Sequence, residues 1–309
     1  MKNKINPCVL SLLQCPTTKK QFVQNGRSVV SSDGAVSYPL TDSGIISFAK
    51  SDFSSDALIQ EDHYNKVAKD YVVNLGYPHT QAYLAYMDEV FKEVANLNEH
   101  VVAAEICCGA GECVSIFDEY VKCGIGIDIS MQMLENAAKK YSGKNTFVHG
   151  DATNIPLQDN SVDVVMMAGG VHHINDRKKL FSEVYRILKT GGVFVAREPL
   201  NDFFLWRALR DIIYRLSPAL DYDTEEPLRF DKTVSVLEEC GFTVEDWKPF
   251  GFLGFILFMN SDILYFNRLF KFVPGIRKIV EYSTRFDSWV LKHKKFKNIG
   301  LQTAFRAIK

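Results

Sequence analysis

The sequence predicts an α/β fold, a parallel sheet with helices on both faces. Three observations carry that expectation. Between residues 101 and 199, five buried-looking strand segments alternate with amphipathic helical ones. Strand–helix units of this length close into parallel sheets through right-handed crossovers. The first strand runs straight into a glycine-bearing turn, EICCGAGE, at residues 105–112. Two later strands end on aspartates, Asp128 and Asp151.

A chain of 309 residues with 47% hydrophobic and 24% charged residues can bury a full core, as one large domain with additions or as two domains. A net charge of -1 gives no overall attraction for nucleic acid. The opening MKNKINPCVLSLLQCP lacks the long apolar region and small-residue cleavage site of a signal peptide. No run reaches the roughly 18 uncharged apolar residues that a spanning helix needs. The cysteines are odd in number and irregularly spaced, which predicts reduced thiols in a cytoplasmic protein rather than a disulfide framework.

Residues 1–50 read as a small β-rich domain, with NG, DG and SG punctuating β-prone pieces of QFVQNGRSVVSSDGAVSYPLTDSGIISF. The polar run SDFSSDALIQ (51–60) reads as a linker, and residues 61–98 as helices with apolar residues three and four apart. The main unit, residues 99–309, supplies the strands VVAAEI, CGIGIDI, NTFVHGD, VDVVMMA and GGVFVAREP. Between them lie the helices SIFDEYVK, MQMLENAAKKY and RKKLFSEVYRILK. An aromatic and then acidic segment (201–232), the helix TVSVLEECG and the strand FTVEDWKPF follow. Residues 250–298 form an aromatic-rich, mostly helical insertion before the last strand, LQTAFRAIK.

Open parallel sheets bind ligands at the carboxyl ends of their strands. Gly109 and Gly111 let the turn close tightly and approach a ligand. Asp128, ending GIGID, can accept two hydrogen bonds from ribose hydroxyls. Val114 stands where the dinucleotide fingerprint needs its third glycine, so a nicotinamide cofactor is not supported. Asp151 in HGDATNIPL can pair with an adenine amino group.

Together, EICCGAG, GIGIDIS, GDATNIPLQDNSVDVVMMAGGVHHI and EVYRILKTGGVFVAREP resemble the class I S-adenosylmethionine-dependent methyltransferases over residues 61–250. The branch of ubiquinone/menaquinone-biosynthesis and small-molecule enzymes is the nearest. The resemblance implies a Rossmann-like, mostly parallel sheet with an antiparallel last strand, and S-adenosylmethionine as cofactor. It implies that Gly109 and Gly111 hold the methionine part, Asp128 the ribose, and Asp151 with Ala152 the adenine, against Ile129. Glu105 keeps the acidic place of the family's acidic-x-G-x-G-x-G turn, Cys107 replaces its first glycine, and Ala168 ends the fourth strand beside it. YNKVAKDYV resembles the family's lid helix, so Tyr64 and Tyr71 either approach the methionine carboxylate or pack on a helix face.

Methyl transfer from a sulfonium is an in-line displacement that asks mainly for positioning and a dry site. A hydroxyl acceptor also calls for a base, and His172 and His173 of GGVHHIND are the candidates, His173 foremost. Their adjacency is not a metal-ligand spacing, so no metal is expected. Arg197 and Glu198 end the fifth strand, and Glu198 could bind the acceptor, orient a histidine or form a surface salt bridge. The acids Asp221, Asp223, Glu225 and Glu226 could belong to a lid or to a solvated face.

LLQCPTTKKQF with YPLTDSGIISF resembles the zinc-ribbon-like domain related to the tRNA-methyltransferase activator family. Its second ligand is missing after Cys15-Pro16, which implies a metal-free remnant. The insertion's aromatics beside an excess of Lys and Arg fit a peripheral membrane contact at the inner face, RNA, or a helical cap or homodimer interface. The expected function is methylation, most simply O-methylation, of a small hydrophobic, glycan or lipid-linked acceptor. RNA methylation and a non-catalytic cofactor-binding scaffold are the alternatives.

Overall fold

The computed structural model describes residues 5–48, 53–141, 145–216, 225–259, 265–293 and 295–309. The N-terminal apolar run forms α1 (Pro7–Leu12), whose first turn is capped by the Asn6 side chain accepting from the Cys8 amide. β1 (Phe22–Asn25), β2 (Ser28–Ser31) and β3 (Ser37–Pro39) make an antiparallel three-stranded sheet. β4 (Ile46–Ser47) leaves that sheet and pairs elsewhere. α2 (Ser55–Leu75) begins inside the run read as a linker. Ser54 caps it, its hydroxyl accepting from the Ala57 amide at 3.2 Å, so polar residues that resemble a loop are a helix start. α3 (Pro78–Ala95) follows, with Pro78 in the first turn.

The main sheet and its helices then run β5 (Val101–Ile106), α4 (Glu112–Phe117), β6 (Val121–Asp128), α5 (Met131–Tyr141), β7 (Asn145–His149), β8 (Val162–Ala168), α6 (Arg177–Ile187) and β9 (Leu188–Pro199). After them come α7 (Phe204–Leu216), α8 (Phe230–Glu239), β10 (Thr243–Phe250), α9 (Leu253–Met259), α10 (Ile276–Lys292) and β11 (Gln302–Ile308). The strand order is β10-β11-β9-β8-β5-β6-β7-β4, with β11 antiparallel to both neighbours and the other pairs parallel. The sheet is Rossmann-like and mostly parallel, as expected. The parallel edge contributed by β4 was not. α4 starts earlier and ends sooner than SIFDEYVK suggests, because Val121 and Lys122 are drawn into β6.

Apolar side chains fill both faces of the sheet. On one face α3 lays down Tyr83, Met87, Val90, Phe91 and Val94, spaced three and four apart and all buried. Burying each such side chain stabilises the fold by about 1.5–3 kcal/mol before entropy is counted. α9 and α10 pack against α3 on that same face. The expectation of reduced thiols meets one exception: Cys8 of α1 and Cys123 of β6 are joined by a disulfide. No helix among the described residues is long and apolar enough to cross a membrane.

Candidate active site

Strand order reverses between β5 and β8, and the carboxyl ends of β5 to β8 meet there. A cavity of ≈ 270 Å³ opens at that point, with one face of α2 across it through Ala57, Gln60 and Tyr64. This is the crevice where open α/β sheets take ligands.

The turn after β5 is held in left-handed backbone at three places, Cys107 (φ 54°), Gly109 (φ 49°) and Gly111 (φ 84°). Cys107 occupies a position that suits glycine, at a cost of about 1–2 kcal/mol for a residue with a Cβ. Its side chain fits because Gly170 faces it. A Cβ on Gly170 would lie 2.6 Å from that of Cys107. Gly111 starts α4 close under Tyr141, whose ring an added Cβ would meet at 2.8 Å. Cys108 is buried beneath the turn in a small cluster with Leu134 and Phe147. Burial pushes both thiols well above their ordinary value, so neither is a thiolate poised for nucleophilic or metal chemistry.

Two carboxylates close the turn from either side. Glu105, at the end of β5, accepts the Cys113 and Val114 amides at 2.8 and 3.0 Å and so caps α4. Burial pushes its carboxyl up to about 8 against the pull of those amides. Asp128 accepts the Gly109 amide on one oxygen at 2.7 Å and the Ser130 amide on the other at 2.8 Å. Burial raises it too, opposed by the same amides. Asp151, beyond β7, accepts the Ser54 amide (2.7 Å) on one oxygen, and the Thr153 amide (2.7 Å) and hydroxyl (2.8 Å) on the other. It thereby ties the start of α2 to the rim of the sheet.

After β8, Gly169 (φ 75°) turns the chain into a single 3₁₀ turn, Val171–His173, that sends two adjacent histidines in different directions. The His172 Nδ1–H donates to Glu198 at 2.8 Å, and the other Glu198 oxygen accepts the Gly170 and Val171 amides. Burial pushes His172 down to about 3, with nearby Arg210 and Arg177 adding to the effect. His173 faces the cavity. Its Nε2 lies 2.6 Å from the Tyr64 hydroxyl, and its buried Nδ1 has no hydrogen-bond partner among the described residues, with a Glu225 carboxylate oxygen 4.0 Å away. Burial pushes His173 well below its ordinary value, so both imidazoles are neutral near pH 7. Arg197 is buried and pairs with Asp88 at 2.6 Å, with Glu112 at 3.8 Å.

Of the residues singled out from sequence, Tyr64, Cys107, Gly109, Asp128, Ile129, Asp151, Ala152, Ala168 and His173 line one cavity. Glu105, Gly111 and His172 do not line it; they shape the turn, start α4 and anchor the β8 loop. The side chain of Tyr71, and the whole of Asp221 and Asp223, lie outside the described residues. The sequence reading missed Gln60, Glu112, Met133 and Lys179 on the same cavity. Gln60 stands four residues before Tyr64, a spacing that places both on one helix face. No group of three or more metal-ligand side chains exists among the described residues.

The cavity fits an adenosyl cofactor. Each Asp128 oxygen takes one amide and keeps acceptor capacity for a ribose hydroxyl. Ile127, Ile129, Met133 and Ala152 offer apolar walls to a purine. Sheet, turn and strand-end carboxylates together form a class I S-adenosylmethionine-dependent methyltransferase domain, an enzyme whose cofactor is S-adenosylmethionine. Residues 104–196, which contain the turn, both aspartates and both histidines, match the family described as a methyltransferase domain. The chain is 29% identical over 183 residues to the ubiquinone/menaquinone biosynthesis C-methyltransferase UbiE of Campylobacter jejuni, covering 50% of this chain and 76% of that one. It is 25% identical over 230 residues to a demethylmenaquinone methyltransferase of Leptospira interrogans, covering 63% and 89%. A solved S-adenosylmethionine-dependent methyltransferase from Thermotoga maritima shares the fold at a TM-score of 0.53 and 19% identity, over 81% of this chain and 99% of that one.

Proposed function

We propose that this domain methylates a hydroxyl group on a small hydrophobic, glycan or lipid-linked acceptor, with His173 as the group that takes the hydroxyl proton. The bound cofactor supplies an electrophilic methyl group on a sulfonium. Asp128 would hold its ribose, Asp151 with Ala152 and Ile129 its adenine, and the Cys107–Gly111 turn with Ala168 its amino-acid end. Gly109 gives that turn its close approach, Glu105 fixes it by capping α4, and Tyr64 and Tyr71 belong to the helix over it.

The observation that carries the reading is that His173, neutral and largely buried, shares one cavity with Asp128 and Asp151. A neutral imidazole can accept a proton, and the nearby Glu225 and Glu198 carboxylates stabilise the positive charge it then acquires. His172 acts on the loop rather than on the acceptor, because Glu198 holds its Nδ1. The name of the Campylobacter relative, a C-methyltransferase, favours a second reading, transfer to carbon. Deprotonating a phenolic hydroxyl activates the adjoining carbons, so the same base serves either outcome. The reading places the protein in the cytoplasm, reaching acceptors at the inner membrane face.

The test is incubation of the protein with methyl-labelled cofactor and fractionated lipid, small-molecule and RNA extracts. Product spectra should show a methoxy carbon in the lipid or small-molecule fraction. A ring-methyl signal selects the second reading, and label confined to RNA overturns both.

A further inference from the structure

α10 carries two apolar faces. Ile276, Val280, Thr284 and Asp287 turn inward, where the helix packs on α3 and α9. Ile279, Tyr282, Phe286 and Trp289 recur three and four residues apart on the opposite side, and all are exposed, Tyr282 at 67% and Trp289 at 60%. At 100° per residue the outer stripe is turned well away from the inner one. Phe272 (72% exposed) and Leu269 are also bare, in the turns Tyr265–Phe272 that precede α10. Lys278, Arg285 and Lys292, seven residues apart, form a cationic row along one flank of the stripe. Glu281, which pairs with Arg285 at 2.6 Å, is the acid on that exposed side of α10, and Asp287 is buried.

We propose that this face docks the protein on an anionic lipid surface. Tryptophan, tyrosine and phenylalanine beside a row of cations suit the headgroup boundary, where rings enter the acyl edge and cations meet lipid phosphates. A second copy is the poorer occupant. Two stripes facing each other with the helices antiparallel would bring the Lys278, Arg285 and Lys292 rows together, with Glu281 the one exposed acid of α10 to offset them. The insertion that carries α10 also starts at the useful end of the sheet. Gln302 pairs with both Phe250 and Pro199, and Arg197 pairs with Ala168 at the cavity rim. The chain thus leaves for the insertion at the level where an acceptor enters. The docking face serves the proposed lipid-linked or hydrophobic acceptor and rests on that reading for its purpose, not for its chemistry.

The test is co-sedimentation of the full chain with vesicles of pure phosphatidylcholine, or of equimolar phosphatidylcholine and phosphatidylglycerol, at low and high salt. Binding is expected to the anionic vesicles and to fall with salt. Either Phe286→Ser/Trp289→Ser or Lys278→Glu/Lys292→Glu should weaken it by about tenfold or more. Both variants should bind S-adenosylhomocysteine as the parent does, which separates lost docking from lost folding. Equal affinity for neutral vesicles, or none for either, overturns the proposal. So does a dimer that Phe286→Ser/Trp289→Ser dissolves, or salt-sensitive RNA binding in place of vesicle binding. Vesicle binding without methyl transfer to any fraction would count against the proposed function alone.

Discussion

Gly170→Ala should be destabilising for one stated reason, the side chain of Cys107. The backbone at Gly170 (φ −110°, ψ −35°) accepts alanine without strain. The cost is steric, since the new Cβ would meet the Cys107 Cβ at 2.6 Å, the Met167 methyl at 3.0 Å and the Cys107 sulfur at 3.1 Å. The Met167 methyl and the sulfur can swing away, but the Cys107 Cβ is fixed to a turn already at φ 54°. Overpacking of this kind costs about 2 kcal/mol. Cys107→Gly alone relieves about 1 kcal/mol of backbone strain. It forfeits a similar amount in packing and unfolded-chain freedom, and should lie within about 0.5 kcal/mol of the parent. In the double variant the fixed contact is gone, leaving a coupling of about 1.5 kcal/mol. Urea denaturation followed by tryptophan fluorescence measures all four corners of the cycle. Additive effects, or a neutral Gly170→Ala, would refute the claim that glycine at 170 compensates for cysteine at 107.

Glu105 links stability to pH. Its carboxyl is raised from 4.5 to about 8, so the folded state keeps a proton that the unfolded chain releases over that window. Stability therefore falls as pH rises from 4.5 to 8, and Glu105→Gln should flatten the slope while lowering stability throughout through the lost amide acceptor. Unfolding midpoints across the window read the difference, and parallel curves would contradict the assignment. If His173 takes the acceptor proton, His173→Ala should lower kcat by about 10²–10⁴ with the cofactor Kd little changed. Tyr64→Phe should lower it less and shift the pH profile of kcat through the 2.6 Å contact with Nε2. Equal loss of cofactor affinity in both variants would make the pair a binding element instead.

What the sequence made legible was what its local periodicity encodes. MQMLENAAKKY is helical over Met131–Tyr141, and VDVVMMA is a strand over Val162–Ala168, at the bounds the patterns suggest. The ends of α4 depended on partners elsewhere in the chain. Glu105 reaches across to cap its start, and the Val101 amide donates to the Tyr120 carbonyl in the turn that follows it. β4 has two residues and exists through its ladder to Val148 and His149, which no local pattern announces. At the site, GGVHHIND marked a histidine pair at a strand end but could not say which ring faces the cavity. That choice belongs to Glu198, twenty-six residues from His172, and to the Tyr64 hydroxyl on α2. Glu112 and Lys179 reach the cavity from helices whose sequences carry no ligand signature.

The central claim is that the cavity between β5 and β8 holds the cofactor through Asp128. Isothermal titration with S-adenosylhomocysteine tests it most directly, on the parent and on Asp128→Asn, which keeps the shape and removes the charge. One equivalent should bind the parent, and the variant should lose about tenfold or more in affinity, as expected for a charge-assisted hydrogen bond of about 1.5–3 kcal/mol. No binding to the parent, or equal affinity in both proteins, would contradict the account.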